Sequence, residues 1–246
     1  MGRILVGIGG WTYAPWRGVF YPADLPQKRE LEFASRRVTS IEINGTFYGA
    51  QKPESFRRWA SEAPDGFVFS VKGPRFATHR RELGEAGPSI ERFFQSGVAE
   101  LGEKLGPVLW QFPPTTKFDE ARFAAFLELL PRSADGRPVR HVVEVRHASF
   151  ADPAFAALLR RHSVALARVD AADSPVPPAE TADFTYARLK RAAADIPTGY
   201  APPALAEWME RVRGWARQGD CFLYFINGAK ERAPAAAMAF IAGLAG

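Results

Sequence analysis

Cysteine, histidine and long apolar runs are all scarce in this chain of 246 residues, and each scarcity closes off a class of protein. The single cysteine, Cys221, leaves no partner for an internal disulfide and suits a reducing cytosol. The most apolar stretch, APAAAMAFIAGLA near the end, reads as an alanine-rich helix and falls short of the ~20 residues that cross a bilayer. At the start, Arg3 precedes a brief ILVGIGG run with no small-residue cleavage site before Trp11, so no secretory signal is expected. A cytoplasmic protein without membrane association is the expectation. Histidine is limited to four positions, and neither HExxH nor another paired-histidine spacing occurs. No GxSxG nucleophile elbow is present. GIGG (7–10) places Thr12 where a dinucleotide fingerprint needs its third glycine, so it reads as a tight turn that carries the Trp11 loop across the end of a strand. Acidic residues are outnumbered, with 27 Asp and Glu against 32 Lys and Arg; the net charge of +5 fits a polyanion partner or plain solubility equally.

What is present is a series of short segments rich in β-branched and aromatic residues: 5–9, 40–44, 67–73, 108–112, 141–147, 165–170, 184–190 and 222–227. Helical patterns separate most of them, over 31–38, 54–63, 89–105 (Ser89 as the cap), 119–130, 152–162, 203–219 and 233–245. Eight strands alternating with helices at this length predict one (β/α)₈ TIM barrel over residues 1–246, with a doubly wound open sheet as the alternative. Between the sixth and seventh strands lies ADSPVPPAETAD (172–183), too broken by proline for a helix. An irregular barrel is therefore expected, with this Pro-rich loop in place of one outer helix.

Barrel strands alternate between interior and helix layer. The Ile41/Ile43 face suits the helices, which turns Glu42 and Asn44 inward. The same alternation groups Ser70 with Lys72, Leu109 with Gln111, and Glu144 with Arg146. It also groups Arg168 with Asp170, Tyr186 with Arg188, and Phe225 with Asn227. Polar groups thus gather at the carboxyl ends of nearly every strand, where barrel enzymes carry their sites. For one such glutamate the plainer reading is a structural ion pair, Glu42 with Lys72 or Glu144 with Arg146 or Arg188. A converging set of charges points instead to a site, because burying charge without function costs several kcal/mol per ion.

Five stretches, IGGWTYAPWRGVFYP (8–22), VTSIEINGTFYG (38–49), FVFSVKGPRFATH (67–79), LGPVLWQFPPT (105–115) and VVEVRHASF (142–150), resemble the domain of unknown function 72 family, also called YecE-like. The resemblance runs from residue 4 to about 240. It implies a TIM barrel and no established activity. The family pattern falls on Trp11, Trp16, Tyr21, Glu42, Thr46, Phe47, Tyr48, Lys72, Thr78, His79, Gln111, Pro113, Glu144, Arg146, His147 and Arg188. Three departures stand out: Lys190-Arg191 where the family usually has His-Gly, Phe150 for a common Trp, and Ile226-Asn227 for a common Asn-Asn.

The leading functional expectation is acid/base chemistry on a phosphorylated or otherwise anionic small molecule, by a hydrolase, lyase or isomerase. Glu42 and Glu144 would be the catalytic pair, facing each other across the mouth. Lys72, Arg146 and Arg188 would hold the anion. Gln111, Asn227 and Asn44 would orient the substrate, Trp11, Trp16 and Tyr48 would stack on it, and His79 would reach it from the rim. No cofactor is expected. A divalent metal on His79, His147, Glu42, Glu144 and Asp170 is the weaker expectation, because nearby Lys and Arg repel a cation. His141 and Cys221 open their strands and so belong at the opposite end. A metal-dependent enzyme acting on nucleic acid, like endonuclease IV, is one alternative, with Arg57-Arg58, His79-Arg80-Arg81 and Lys190-Arg191 as basic runs. A non-catalytic anion-binding barrel is another. The sequence sets no oligomeric state.

Overall fold

The computed structural model describes residues 1–171 and 176–245. Eight parallel strands wind in sequence order: β1 (Ile4–Gly9), β2 (Ser40–Ile43), β3 (Val68–Lys72), β4 (Leu105–Gln111), β5 (His141–Glu144), β6, β7 (Thr185–Leu189) and β8 (Cys221–Phe225). The sixth is made of two pieces, Ala165–Leu166 and Arg168–Asp170, and these are the two ends of the sheet. The first piece pairs with β5 and the second with β7, while the Ala167 amide between them donates to the Val143 carbonyl. The sheet therefore comes round to a nearly closed TIM barrel, in which the sixth strand changes neighbour midway and the pairing of β3 with β4 shifts register between Phe69 and Val71.

Helices cover the outside: α1 (Glu30–Ser35), α2 (Gly45–Tyr48), α3 (Pro53–Glu62), α4 (Arg75–Thr78), α5 (Gly87–Gln95), α6 (Glu120–Glu128), α7 (Pro153–Arg161), α8 (Pro202–Ala216) and α9 (Ala233–Ala245). Two start at the aspartates expected from sequence: Asp119 accepts from the Arg122 amide and Asp152 from the Ala154 amide, satisfying amides left open by the helix start. The helix expected over 89–105 divides. Its α part starts two residues before Ser89, with Pro88 in its first turn, and ends by Gly97, whose φ of 103° no ordinary side chain holds comfortably; a 3₁₀ segment follows. No helix occurs over 176–184. The first part of the Pro-rich stretch, 172–175, lies outside the described residues. Among the described residues no helix is long and apolar enough to cross a membrane.

Two apolar clusters meet across the barrel wall. Val6, Ile8, Ile41, Ile43, Phe69, Val71, Trp110, Val143 and Phe225 pack outward under the helices. Leu5, Val68, Leu109, Val142, Tyr186, Phe222 and Tyr224 fill the interior. The interior is graded along the axis. Apolar side chains close the amino end. A middle level follows in which the Tyr224 hydroxyl bonds Ser40 Oγ at 2.7 Å and Ser70 Oγ at 2.6 Å. One residue pair further along each strand come Glu42, Lys72, Gln111, Glu144 and Arg188, all buried. Gly7 lets β1 approach β2 closely, since a Cβ there would fall 1.9 Å from the Ser40 carbonyl oxygen.

Two alternation readings are corrected. Ala167 and Val169 take the interior side of β6, because the strand's break sets its facing. Arg168 lies outward over the Trp215 ring at 4.7 Å, and Asp170 accepts from the Tyr200 hydroxyl at 3.3 Å. On β8 the interior residues are Phe222, Tyr224 and Ile226, while Phe225 packs outward; Asn227 reaches the mouth only because the strand has already ended.

Candidate functional site

Arg188, on β7, reaches across the barrel. Its Nε and one terminal nitrogen each donate at 2.9 Å to a separate oxygen of Glu42, the forked geometry that suits a planar guanidinium. The other terminal nitrogen donates to Glu144. The Tyr186 hydroxyl adds a bond to Glu42 at 2.7 Å. Both carboxylates are fully buried. Glu144 also accepts from Gln111 at 2.9 Å, from Lys190 at 2.8 Å, and from two nitrogens of Arg146 at 3.0 and 3.1 Å. Burial alone would raise the Glu144 pKa. Arg188, Lys190 and Arg146 outweigh that and hold it far below the usual carboxylate range. Burial would likewise loosen the Arg188 proton, but Glu144 and Glu42 reverse this and fix its charge.

Above this cluster opens a cavity of about 560 Å³, over the ends of β1 and β2. Its lining includes Lys72, Arg146, Arg188 and Lys230, the amides of Asn44, Gln51, Gln111 and Asn227, and the rings of Trp11, Tyr48 and Trp59. No carboxylate among the described residues lines it. Small residues keep the floor low: Gly9, Gly10 and Gly45 line it, and Gly10, at φ 73°, turns the chain so that Trp11 crosses the mouth. Trp11 meets Trp59 edge to face at 5.2 Å, and Tyr21 bonds the Trp11 carbonyl at 2.6 Å, so this wall is braced. Tyr48 stands 70% exposed at the rim.

Lys72 differs from its cationic neighbours. It makes no salt bridge among the described residues, and its Nζ rests 4.0 Å above the Phe47 ring. Burial, helped by Arg188, lowers its pKa to about 8, against the partial opposition of Glu42 and Glu144. Lys230 lies in similar fashion 4.5 Å above the Tyr13 ring.

Of the residues expected at the site, Lys72, Arg146, Arg188, Gln111, Asn227, Asn44, Trp11 and Tyr48 line the cavity, while Glu42 and Glu144 lie beneath it. His79 does not line it; it is exposed, edge to face with Phe47 at 5.3 Å, with Nδ1 on the Thr78 hydroxyl. Trp16 is wholly buried, its indole N–H donating to the Lys230 carbonyl, so it braces the mouth from behind. His147 is tied to Ser149, and Asp170 lies outside the barrel wall. No group of three or more His, Cys, Asp or Glu among the described residues is placed to hold a metal ion. His141 is buried between Trp110 and the Pro131 carbonyl, and burial raises the Cys221 thiol to about 11. Lys190, Lys230, Gln51, Trp59 and Thr12 were not anticipated. Lys190 shares the alternation of Tyr186 and Arg188, a signal already in the sequence; it takes the place of the family's histidine and adds a cation to Glu144. The basic runs are matched by neighbours: Arg57 with Glu54 and Glu100, Arg58 with Glu62, Arg80 with Glu85, Arg81 with Glu82.

Barrel and cavity together define a TIM-barrel protein with a cation-rich mouth at the carboxyl ends of its strands. The chain belongs to the family described as "Protein of unknown function DUF72", matched over residues 5–246. It is similar to the UPF0759 protein YecE of Escherichia coli K12, 27% identical over 150 residues that cover 60% of this chain and 50% of that protein. This chain thus spans about half the length of the curated relative it matches. A DUF72 family protein from Thermotoga maritima has a crystal structure with TM-score 0.80 at 23% identity, covering 99% of this chain and 100% of that one. A sugar phosphate isomerase/epimerase from Parabacteroides distasonis aligns at TM-score 0.58 and 13% identity, over 98% of this chain and 94% of that one. At these identities the structural likenesses are likenesses of fold.

Two substitutions test the electrostatics. Arg188→Met strands the buried Glu42 and takes one cation from Glu144, and is expected to destabilise the fold by about 3–5 kcal/mol in urea unfolding at pH 7. A depressed Glu144 adds stability above the ordinary glutamate value of about 4.3, and that stability is lost as pH falls; the variant should weaken this acid limb, with Lys190 and Arg146 keeping the rest of it. Lys72→Met should do the opposite, raising stability at pH 7 by roughly 1–3 kcal/mol, because it removes an unpaired buried ammonium. Between pH 8 and the ordinary lysine value, the folded protein has released a proton that the unfolded chain keeps, so native stability rises with pH there. The advantage of Lys72→Met should shrink across that window.

Proposed function

We propose that this protein is an enzyme acting on a phosphorylated or otherwise anionic small molecule bound in the mouth cavity. The observation that carries the reading is the cavity's charge: four cationic side chains line it, and no carboxylate among the described residues does. Glu42 and Glu144 are already committed to Arg188, Arg146, Lys190, Gln111 and Tyr186. An entering anion would therefore meet net positive charge in a partly desolvated site, where charge-assisted bonds are strong. Arg146 and Lys230 would take the anionic group, the four amides would orient hydroxyl or carbonyl groups, and Trp11, Trp59 and Tyr48 would cover an apolar face.

In this reading the acid/base role passes from the two glutamates to Lys72. Glu144 is held far below its usual range, and both carboxylates are covered by donors, which makes them poor proton carriers, whereas an amine near pKa 8 exchanges protons close to neutral pH. Glu42 and Glu144 then act as the anchors that hold Arg188 and Arg146 in position. The fold of the sugar phosphate isomerase/epimerase neighbour is compatible with such chemistry and adds nothing more specific. A small molecule is favoured over nucleic acid because the surface basic runs at Arg57-Arg58 and Arg80-Arg81 are matched by glutamates, while Lys72 and Lys230 at the cavity make no salt bridge among the described residues.

A thermal-shift series with inorganic phosphate, sugar phosphates and abasic-site DNA, each with and without Zn²⁺, Mn²⁺ or Mg²⁺, checks this. A sugar phosphate at a hundred times its Kd should raise Tm by roughly 5–11 °C, the equivalent of about 2.7 kcal/mol at this chain length. Arg146→Met should abolish the shift. A shift with DNA alone, or only when metal is added, would overturn the reading in favour of a nucleic-acid or metal-dependent enzyme.

A further inference from the structure

Lys72 carries an inference that rests on the anionic-substrate reading and narrows it. We infer that the Lys72 amine is a nucleophile, and that the substrate class is a phosphorylated aldehyde or ketone which it captures as an imine. The geometry has three parts. The side chain leaves the carboxyl end of β3 and borders the cavity, with its Nζ over the Phe47 ring. No carboxylate among the described residues pairs with its nitrogen, in contrast to Lys190, which is spent on Glu144. Arg146 and Arg188 border the same space, so a phosphate held there brings an attached carbonyl toward the amine.

Attack by the nitrogen needs its neutral form. Burial and the nearby Arg188 supply it near pH 8, as expected of a lysine crowded by cations. The step is balanced without a further reactant. The amine nitrogen, having released one ammonium proton to solvent, forms a bond to the carbonyl carbon; the carbon–oxygen bond breaks, both remaining amine protons leave with that oxygen as one water, and the neutral imine takes a proton back from solvent. The protonated imine restores a positive charge where the ammonium had stood, and the substrate's phosphate offsets it. Lys230 is the competing candidate, since it too lines the cavity and lacks a salt bridge among the described residues. Of these two, however, Lys72 alone has nearby cations, Arg188 and Arg146, adding to burial in lowering the amine's pKa.

Pyridoxal 5′-phosphate serves as a probe because it joins an aldehyde to a phosphate. The protein is incubated with it near pH 8, reduced with borohydride, digested, and mapped by mass spectrometry across its seven lysines. One pyridoxyl group per chain is expected, on Lys72. Labelling should fall at least about tenfold with pyridoxal lacking the phosphate, and likewise in excess inorganic phosphate, the equivalent of one charge-assisted hydrogen bond. Lys72→Arg should keep the thermal shift with inorganic phosphate and lose the label, which separates loss of the nucleophile from loss of the fold. Labelling that falls first on Lys230, or spreads over exposed lysines at similar rates, overturns the imine. A phosphate-induced Tm shift without a Lys72 adduct overturns it too, while leaving the anion reading standing. Equal labelling of Lys72 by pyridoxal and its phosphate, with no Tm shift, leaves the nucleophile standing and overturns the phosphorylated substrate.

Discussion

A guanidinium can be buried in a barrel only if its charge and its donors all find partners, and Arg188 meets that condition in one way. Its nitrogens go to Glu42 from β2 and to Glu144 from β5, so three strands are tied through one side chain. Moving any of the three out of register would leave charge buried and unpaired, at a cost of several kcal/mol. The arrangement below follows from the same need. Tyr186 sits two residues before Arg188 and turns its hydroxyl to Glu42, while Tyr224, Ser40 and Ser70 satisfy one another one level down. The interior thus passes from hydrocarbon to hydroxyls to ions along a single axis.

That cluster has a second effect, on the space above it. Two carboxylates are consumed inside the network, yet Arg146, Lys190, Lys72 and Lys230 remain around them, so the mouth keeps surplus positive charge. Arg146 and Lys190 are partly neutralised by Glu144. Among the described residues, Lys72 and Lys230 are supported by aromatic faces and by no carboxylate, and such faces stabilise a cation less than a carboxylate does. An unpaired ammonium in a buried place detracts from stability. On the reading proposed above, a negatively charged ligand would offset that cost.

The barrel was legible because each segment alternates or repeats cleanly, and only the closure was not: whether a short strand breaks and changes neighbour depends on pairing partners far along the chain. Alternation also placed Glu42, Lys72, Gln111, Glu144 and Arg188 on interior faces. It failed for Arg168, Asp170 and Asn227, where a broken strand or an early strand end resets which way a side chain points. The pairing of Glu144 with Arg146 or Arg188 was readable from the sequence and both contacts form, but the fork of Arg188 onto Glu42 lay beyond it, since the two are 146 residues apart and join across the barrel's width. Trp16 was misplaced at the mouth because its loop folds back on itself, through the turn in which the Tyr21 amide bonds the Trp16 carbonyl. The Lys190 substitution for histidine was visible in the sequence, but its consequence, one more cation on Glu144, needed the geometry.

The central claim is that the buried network leaves the mouth cavity net positive and ready for an anion. Crystals soaked in tungstate, a heavy-atom stand-in for phosphate, test it through the anomalous map. The account predicts a peak inside the cavity, within ion-pair distance of Arg146 and Lys72 or Lys230. Peaks confined to exterior arginines, with the cavity holding none, would contradict it.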